Sequence, residues 1–237
     1  MHRSAFVALF VFAACGGSSG GGDDTQIDAP PGGHSFKISG TATQQAIAGN
    51  PAPAPDVLVE AFANSDETTA VAMATTAADG TYTLNVTVAG TSLDGYLKAT
   101  KSGNVDTYLY PPAPLTADFD MASINEIDTG LYGTLAHNIG GGAAGQGTIA
   151  LEVVDSTMAT LAGASVTSTP TATHTGYTAT GFPPVSITAT ETMADGRAFL
   201  FGITGSVTIM ATATGHTFKP TTVNARADAF TTTLVTE

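Results

Sequence analysis

The sequence predicts an all-β protein built from two tandem sandwich modules with a short helix in the connector between them. Four observations carry this reading. From His34 onward, apolar and polar residues alternate in short runs broken by Gly, Pro, Asn and Asp, the pattern of half-buried strands in antiparallel sheets. The composition is 43% apolar and only 11% charged, which provides a core and too little charge for a long disordered chain. Threonine, alanine and glycine are abundant, without the Glu, Lys and Leu that accompany alanine in helices. Finally, a set of phrases in the first half of the chain returns in the same order in the second.

The first module is assigned to residues 35–118. Its strands read Ser35–Gly40, Val57–Phe62, Ala70–Thr76, Thr81–Val86, Tyr96–Thr100 and Thr107–Tyr110. Between the third and fourth, Ala78-Asp79-Gly80 reads as a hairpin turn, because Asp-Gly suits the positive φ angles of a type I′ connection. That turn places Tyr82 and Leu84 on the inward face and accounts for Asp79 without catalysis.

The second module is assigned to residues 146–237 and opens with Thr148–Val154. Leu161–Val166 answers Ala54–Val59, and Ala194-Asp195-Gly196 answers Ala78-Asp79-Gly80. Repetition at this spacing means two domains. Thr173–Thr188 is an extra segment with no counterpart in the first module. Between the modules, residues 119–145 form a connector. There Asp128 or Thr129 caps a short helix through Leu131, Leu135 and Ala136, with Gly140 beyond its end. Apolar residues at 124, 127, 131 and 135 share one face at helical spacing, a face suited to packing on a sandwich.

Three phrases carry a resemblance. They are Ser39-Gly40-Thr41, Leu161-Ala162-Gly163-Ala164-Ser165-Val166, and Thr76-Ala77-Ala78-Asp79-Gly80-Thr81-Tyr82-Thr83-Leu84. In this order they resemble the carboxypeptidase regulatory-like domain, which implies a transthyretin-like, immunoglobulin-like sandwich. The second copy departs from the pattern, with Ala198 where the hairpin tyrosine stands in the first. The resemblance implies a fold and no activity, since such modules are grafted onto many proteins.

Residues 1–14 are a different kind of segment. His2 and Arg3 precede an apolar run from Ala5 to Ala14, a signal-peptide length and short of the about 20 residues that span a bilayer. Ala13 and Ala14 sit immediately before Cys15, the one cysteine of the chain. With one cysteine, neither an intrachain disulfide nor a cysteine zinc site is available. Phe12-Ala13-Ala14-Cys15 resembles a bacterial lipoprotein signal, with Phe12 where leucine is usual. The resemblance implies cleavage before Cys15, acylation of its thiol, and anchoring by several acyl chains at about 0.8 kcal/mol per buried CH₂. The alternative is an ordinary secretory signal with a cysteine beside its cleavage site. Gly16, in place of aspartate, implies outer-membrane sorting, with the body of the protein periplasmic or at the cell surface. Residues 15–34, rich in Gly, Ser and Pro, form a flexible tether.

Function classes are narrowed by charge and motif. The formal net charge is −13, with seven Lys and Arg dispersed along the chain. Nucleic-acid binding needs clustered cations, so that class is excluded. No zinc-protease, nucleophile-elbow, phosphate-loop or calcium-loop motif occurs, and His34, His137, His174 and His216 do not share metal-ligand spacing. No catalytic residue, metal or cofactor is therefore assigned. Tyr108 and Tyr110 lie on one face of a strand and are the candidate ligand-stacking pair, with two exposed coplanar rings as the feature to look for. The expectation is a non-enzymatic, membrane-anchored surface lipoprotein that binds or scaffolds a protein or carbohydrate. A carbohydrate-binding module and an undetected hydrolase are the alternatives, and the sequence leaves the oligomeric state open.

Overall fold

Alternation is clearest where a strand has one wet and one dry face. Thr81–Val88 buries Tyr82, Leu84 and Val86 and exposes Thr81, Thr83, Asn85 and Thr87. The computed structural model describes residues 33–45, 51–139, 144–180 and 184–237. Residues 1–14 and Cys15 lie outside them, as do most of the tether, Gly140 to Ala143, and 181–183 of the extra segment.

In chain order the first half contains β1 (His34–Gln44), β2 (Ala52–Pro53), β3 (Leu58–Ala63), β4 (Ala72–Thr75), β5 (Thr81–Val88), β6 (Gly95–Thr100), β7 (Thr107–Tyr110) and β8 (Ile124–Glu126). One sheet is β2-β1-β5, with β8 parallel to β1. It faces β4-β3-β6-β7, and between them lies a core that includes Ile38, Val59, Leu84 and Leu97. Helix α1 (Thr129–Ile139) follows. The second half contains β9 (Gly147–Val153), β10 (Ser165–Thr169), β11 (His174–Thr178), β12 (Val185–Ser186), β13 (Arg197–Ile203), β14 (Gly205–Thr212), β15 (Thr221–Ala225) and β16 (Phe230–Val235). Here β10-β14-β15 faces β12-β11-β13-β9-β16 across a second core that includes Ile149, Leu200, Val207 and Ile209.

The halves repeat hydrogen bond by hydrogen bond. Thr76 Oγ1 donates to Ala54 O and accepts from Val57 N, while Thr192 Oγ1 donates to Leu161 O and accepts from Ala164 N. Gly80 O accepts from Ala42 N, and Gly196 O from Val153 N. Asp56 and Gly163 hold equivalent positive-φ positions. The strand β8, parallel to β1, corresponds to β16, parallel to β9.

The two sandwiches are joined through one sheet. On its other edge β16 pairs in parallel with β7, so strands of both halves form a continuous nine-stranded sheet. The extra segment lies at one end of it, as β11 and β12 beyond β13.

Three sequence expectations are corrected. Asp79-Gly80 does turn the chain, with Gly80 N donating to Ala77 O, but only Gly80 has positive φ, so it is not a type I′ turn. Its flanking strands also diverge: β4 pairs with β3 and β5 with β1, so the turn crosses from one sheet to the other. Residues 119–126 are not connector, because Phe119 bridges to Ile38 and β8 extends the first sheet. The helix forms where expected, with Asp128 Oδ1 accepting from Gly130 N and Leu131 N as an N-cap. However, Ile124 lies on a strand and Ile127 precedes the helix. Ile127 and Leu131 pack together with Val105 and Phe230.

Candidate functional site

Joining two sandwiches through one sheet leaves a step. Because side chains alternate along each strand, residues that do not face the second core face the opposite side of the shared sheet. These are Leu109 of β7, Thr232 and Leu234 of β16, Ala150 and Glu152 of β9, and Arg197, Phe199 and Phe201 of β13. They form the floor of a groove of ≈ 660 Å³. One wall is the segment leading into β8, with Phe119, Met121, Ser123 and Asn125; α1 adds Leu131, Tyr132 and Ile139. That volume falls within the range of small-molecule sites, about 300–1,000 Å³. The groove is mostly apolar. Phe199 and Phe201 stack with ring centres 6.0 Å apart, and Met121 and Met158 remain largely exposed at the rim. Two polar contacts are closed within it: Arg197 Nε donates to Glu152 Oε1 at 2.8 Å, and the hydroxyls of Tyr132 and Thr148 are 2.9 Å apart, while Thr178 Oγ1 has no partner among the described residues.

The sequence-predicted stacking pair lies elsewhere. Tyr108 and Tyr110 share a face as expected, but they are only 7% and 6% exposed. With Tyr96 they surround Arg226, whose guanidinium carbon lies 4.1 Å from the Tyr108 ring centre and 4.4 Å from that of Tyr96. Arg226 Nη1 donates to the Tyr110 hydroxyl at 2.8 Å, and Nη2 lies 3.2 Å from Glu67 Oε2. A ligand-stacking platform at Tyr108 and Tyr110 is thereby corrected, because the rings enclose a side chain of the protein itself. Burial raises the pKa of both phenols, against the opposing pull of nearby cations.

A buried polar cluster stands beside β8. Glu126 is fully buried; its Oε2 accepts from Asn104 Nδ2 at 2.9 Å, and the same amide donates to Gln44 Oε1 at 2.9 Å. Among the described residues Glu126 Oε1 has no partner. Desolvation raises its pKa, opposed by the Asn104 hydrogen bond.

Of the four histidines, the side chain of His137 lies outside the described ones, and the other three do not converge. His34 Nε2 lies 2.8 Å from Thr116 O, His216 Nδ1 lies 2.6 Å from Glu237 Oε1, and His174 stands on β11. Among the described residues no three His, Cys, Asp or Glu side chains are grouped to hold a metal ion, and no histidine is hydrogen-bonded to a hydroxyl. No described helix is long and apolar enough to cross a membrane.

Two features escaped the sequence reading. Arg226 is one isolated cation in a polar run, and nothing local marks it as the filling of an aromatic box. The groove arises from the β7–β16 pairing, which joins residues more than a hundred positions apart and carries no local signature.

No family profile matches the sequence. No curated protein matches it either. Among solved structures the chain is similar to the Bacillus anthracis TIE protein, at 13% identity and a TM-score of 0.26, covering 85% of this chain and 34% of that one. It is also similar to the shaft pilin SpaA of Lactobacillus rhamnosus GG, at 11% identity and a TM-score of 0.26, covering 85% and 97%. The minor pilin GBS52 of Streptococcus agalactiae stands at 14% and 0.26, covering 85% and 96%.

Proposed function

We propose that the chain is a non-enzymatic surface lipoprotein, held at the outer membrane by lipid on Cys15, that binds an apolar ligand in the groove of its shared sheet. The groove carries this reading. It is a large, mostly apolar concave surface among the described residues, it is built by both sandwiches, and the one cation in its lining, Arg197, is paired with Glu152. Such a floor favours a ligand that contributes contact area and few charges. The lipid anchor rests on Phe12-Ala13-Ala14-Cys15 and the Gly/Ser-rich spacer that follows.

The two parts are tested separately. For the anchor, the full chain and Cys15→Ala are expressed in a diderm bacterium and compared by membrane fractionation and intact mass. The expected wild type pellets with membranes and carries a multi-acyl mass, while the variant is released or left unprocessed. Soluble, lipid-free wild type overturns the anchor. For the groove, the uncharged dye Nile red is titrated against the full chain and Phe199→Lys. Phe199 is half-buried on the floor, and a lysine there brings charge to the apolar surface. Fluorescence enhancement that falls at least about tenfold in the variant supports the site. Absence of enhancement in wild type, or equal enhancement in the variant, overturns it.

A further inference from the structure

The repeat exposes an asymmetry. In the second half β13 has β9 on one edge and β11 on the other. Its counterpart β5 has β1 on one edge and, among the described residues, no strand on the other. Strand β4 runs beside β5 but makes its ladder with β3.

The ladder identifies which backbone groups are left over. Ala42 N donates to Gly80 O, and the antiparallel register sets Gly40 opposite Tyr82, Ile38 opposite Leu84 and Phe36 opposite Val86. Bonded pairs alternate along an antiparallel ladder, so Thr83, Asn85 and Thr87 turn their N–H and C=O groups away from β1. In the second half the matching outward residues are Phe199 and Phe201, and β11 covers them with Gly176 and His174. The first half therefore presents, at Thr83, Asn85 and Thr87, six backbone groups in the array that β11 occupies in the second.

Edge strands are normally guarded by charge, proline or a bulge. The strand β12, at one end of the shared sheet, directly follows Pro184. No such guard stands on β5. From Gly80 to Leu93 there is no charged residue and no proline, in a chain whose net charge is −13. Self-association of so acidic a chain requires a surface without like charges, and this strand supplies one.

We propose that β5 is a dimerisation edge, pairing antiparallel with β5 of a second copy about a two-fold axis at Asn85. Thr83 of one copy then faces Thr87 of the other, and Asn85 faces Asn85. All six free backbone groups are bonded, and every facing pair of side chains on the outer face is uncharged. The contact is isologous and closed, so it stops at two copies. The outward side chains Thr83, Asn85 and Thr87 are exposed in the single chain, so they can be replaced without disturbing the core.

The test uses the full chain carrying Cys15→Ala, which removes both the lipid site and the native thiol. Sedimentation velocity across a concentration series is run on this protein and on versions with Asn85→Lys and Asn85→Ser, with circular dichroism and thermal midpoints as folding controls. The parent and Asn85→Ser are expected as dimers. Asn85→Lys, which opposes two like charges at the axis, weakens the dimer at least about tenfold with the fold intact. As a second readout, Asn85→Cys is expected to cross-link to a covalent dimer on mild oxidation. Ser206→Cys, an exposed position on β14, is not. A parent that is monomeric throughout, an Asn85→Lys dimer of parental strength, or cross-linking of Asn85→Cys no greater than that of Ser206→Cys overturns the proposal. None of these results bears on the groove or the lipid anchor, so the readings fail separately.

Discussion

The guanidinium of Arg226 lies 4.1 Å from the ring centre of Tyr108, a contact between the end of β15 and strand β7 that ties the second sandwich to the first. Tyr96 and Tyr110 complete the box, and Glu67 neutralises the charge it encloses. The tyrosines supply the negative faces of their rings, which attract a partly desolvated guanidinium more strongly than an exposed one.

Arg226→Ala is therefore expected to destabilise the protein by about 3–4 kcal/mol, the combined cost of the lost cation–π contacts, the unpartnered Tyr110 hydroxyl and the vacated volume. Arg226→Lys should recover less than half, because an ammonium cannot lie flat between two rings while bonding a third. Chemical denaturation of the three proteins measures the difference. A lysine variant as stable as wild type would show that charge alone matters here.

The paired threonines make a sharper comparison. Thr76 and Thr192 each bridge two backbone groups from a buried position. Thr→Val preserves shape and leaves a buried N–H and C=O without their partner, at about 1–3 kcal/mol per site. The two variants should cost the same within about 0.5 kcal/mol and add in the double variant, since the sites lie in separate halves without shared partners. Unequal costs, measured by urea titration, would mean that the matching geometry conceals different surroundings.

These threonines also show what was legible in the sequence. The phrases that align by eye, Ala54–Val59 with Leu161–Val166 and Ala78–Gly80 with Ala194–Gly196, occupy equivalent places because each needs the same turn and the same bridging hydroxyl. Asp128 was legible as a helix cap because capping is local. Sheet membership was not. Alternation gives the inward face of a strand and not its neighbours, so the run after Asp79-Gly80 reads the same whether it returns beside β4 or crosses to β1. Strand β16 likewise gives no local sign that it is central. Its signature is long-range, with Thr233 Oγ1 donating to Tyr110 O across the junction. Tyr108 and Tyr110 were placed on the correct face, and what fills that face lies beyond the reach of periodicity.

The glycines of the two Ala-Asp-Gly turns give a third prediction. Gly80 and Gly196 have φ of 80° and 67°, and a Cβ at either would strike a backbone carbonyl oxygen, that of Ala42 or of Val153. Gly80→Ala and Gly196→Ala should each cost about 1–3 kcal/mol through strain and displaced backbone. Gly90, with open space at its Cβ and no positive φ, should accept alanine at no cost or with a small gain. Thermal midpoints of the three variants test the ranking, and a tolerated Gly80→Ala would mean that the turn can rearrange.

Glu126 yields a pH dependence of defined sign. Burial raises its folded-state pKa above the unfolded value, so the fold favours the neutral acid. A raised folded pKa gives a contribution that is fully present below the unfolded pKa, near 4.5 for a glutamate, and is lost as pH climbs through the folded value. Glu126→Gln keeps an acceptor for Asn104 Nδ2 and cannot ionise. Its stability relative to wild type should therefore rise from about pH 4 toward neutrality and then level off. A gap of about 1–3 kcal/mol at neutral pH follows from the cost of a buried, half-satisfied charge. For a chain of this size each kcal/mol moves the thermal midpoint by about 2–4 °C. Melting both proteins between pH 4 and pH 8 checks it, and parallel curves would show that Glu126 Oε1 finds a compensating partner in the folded protein.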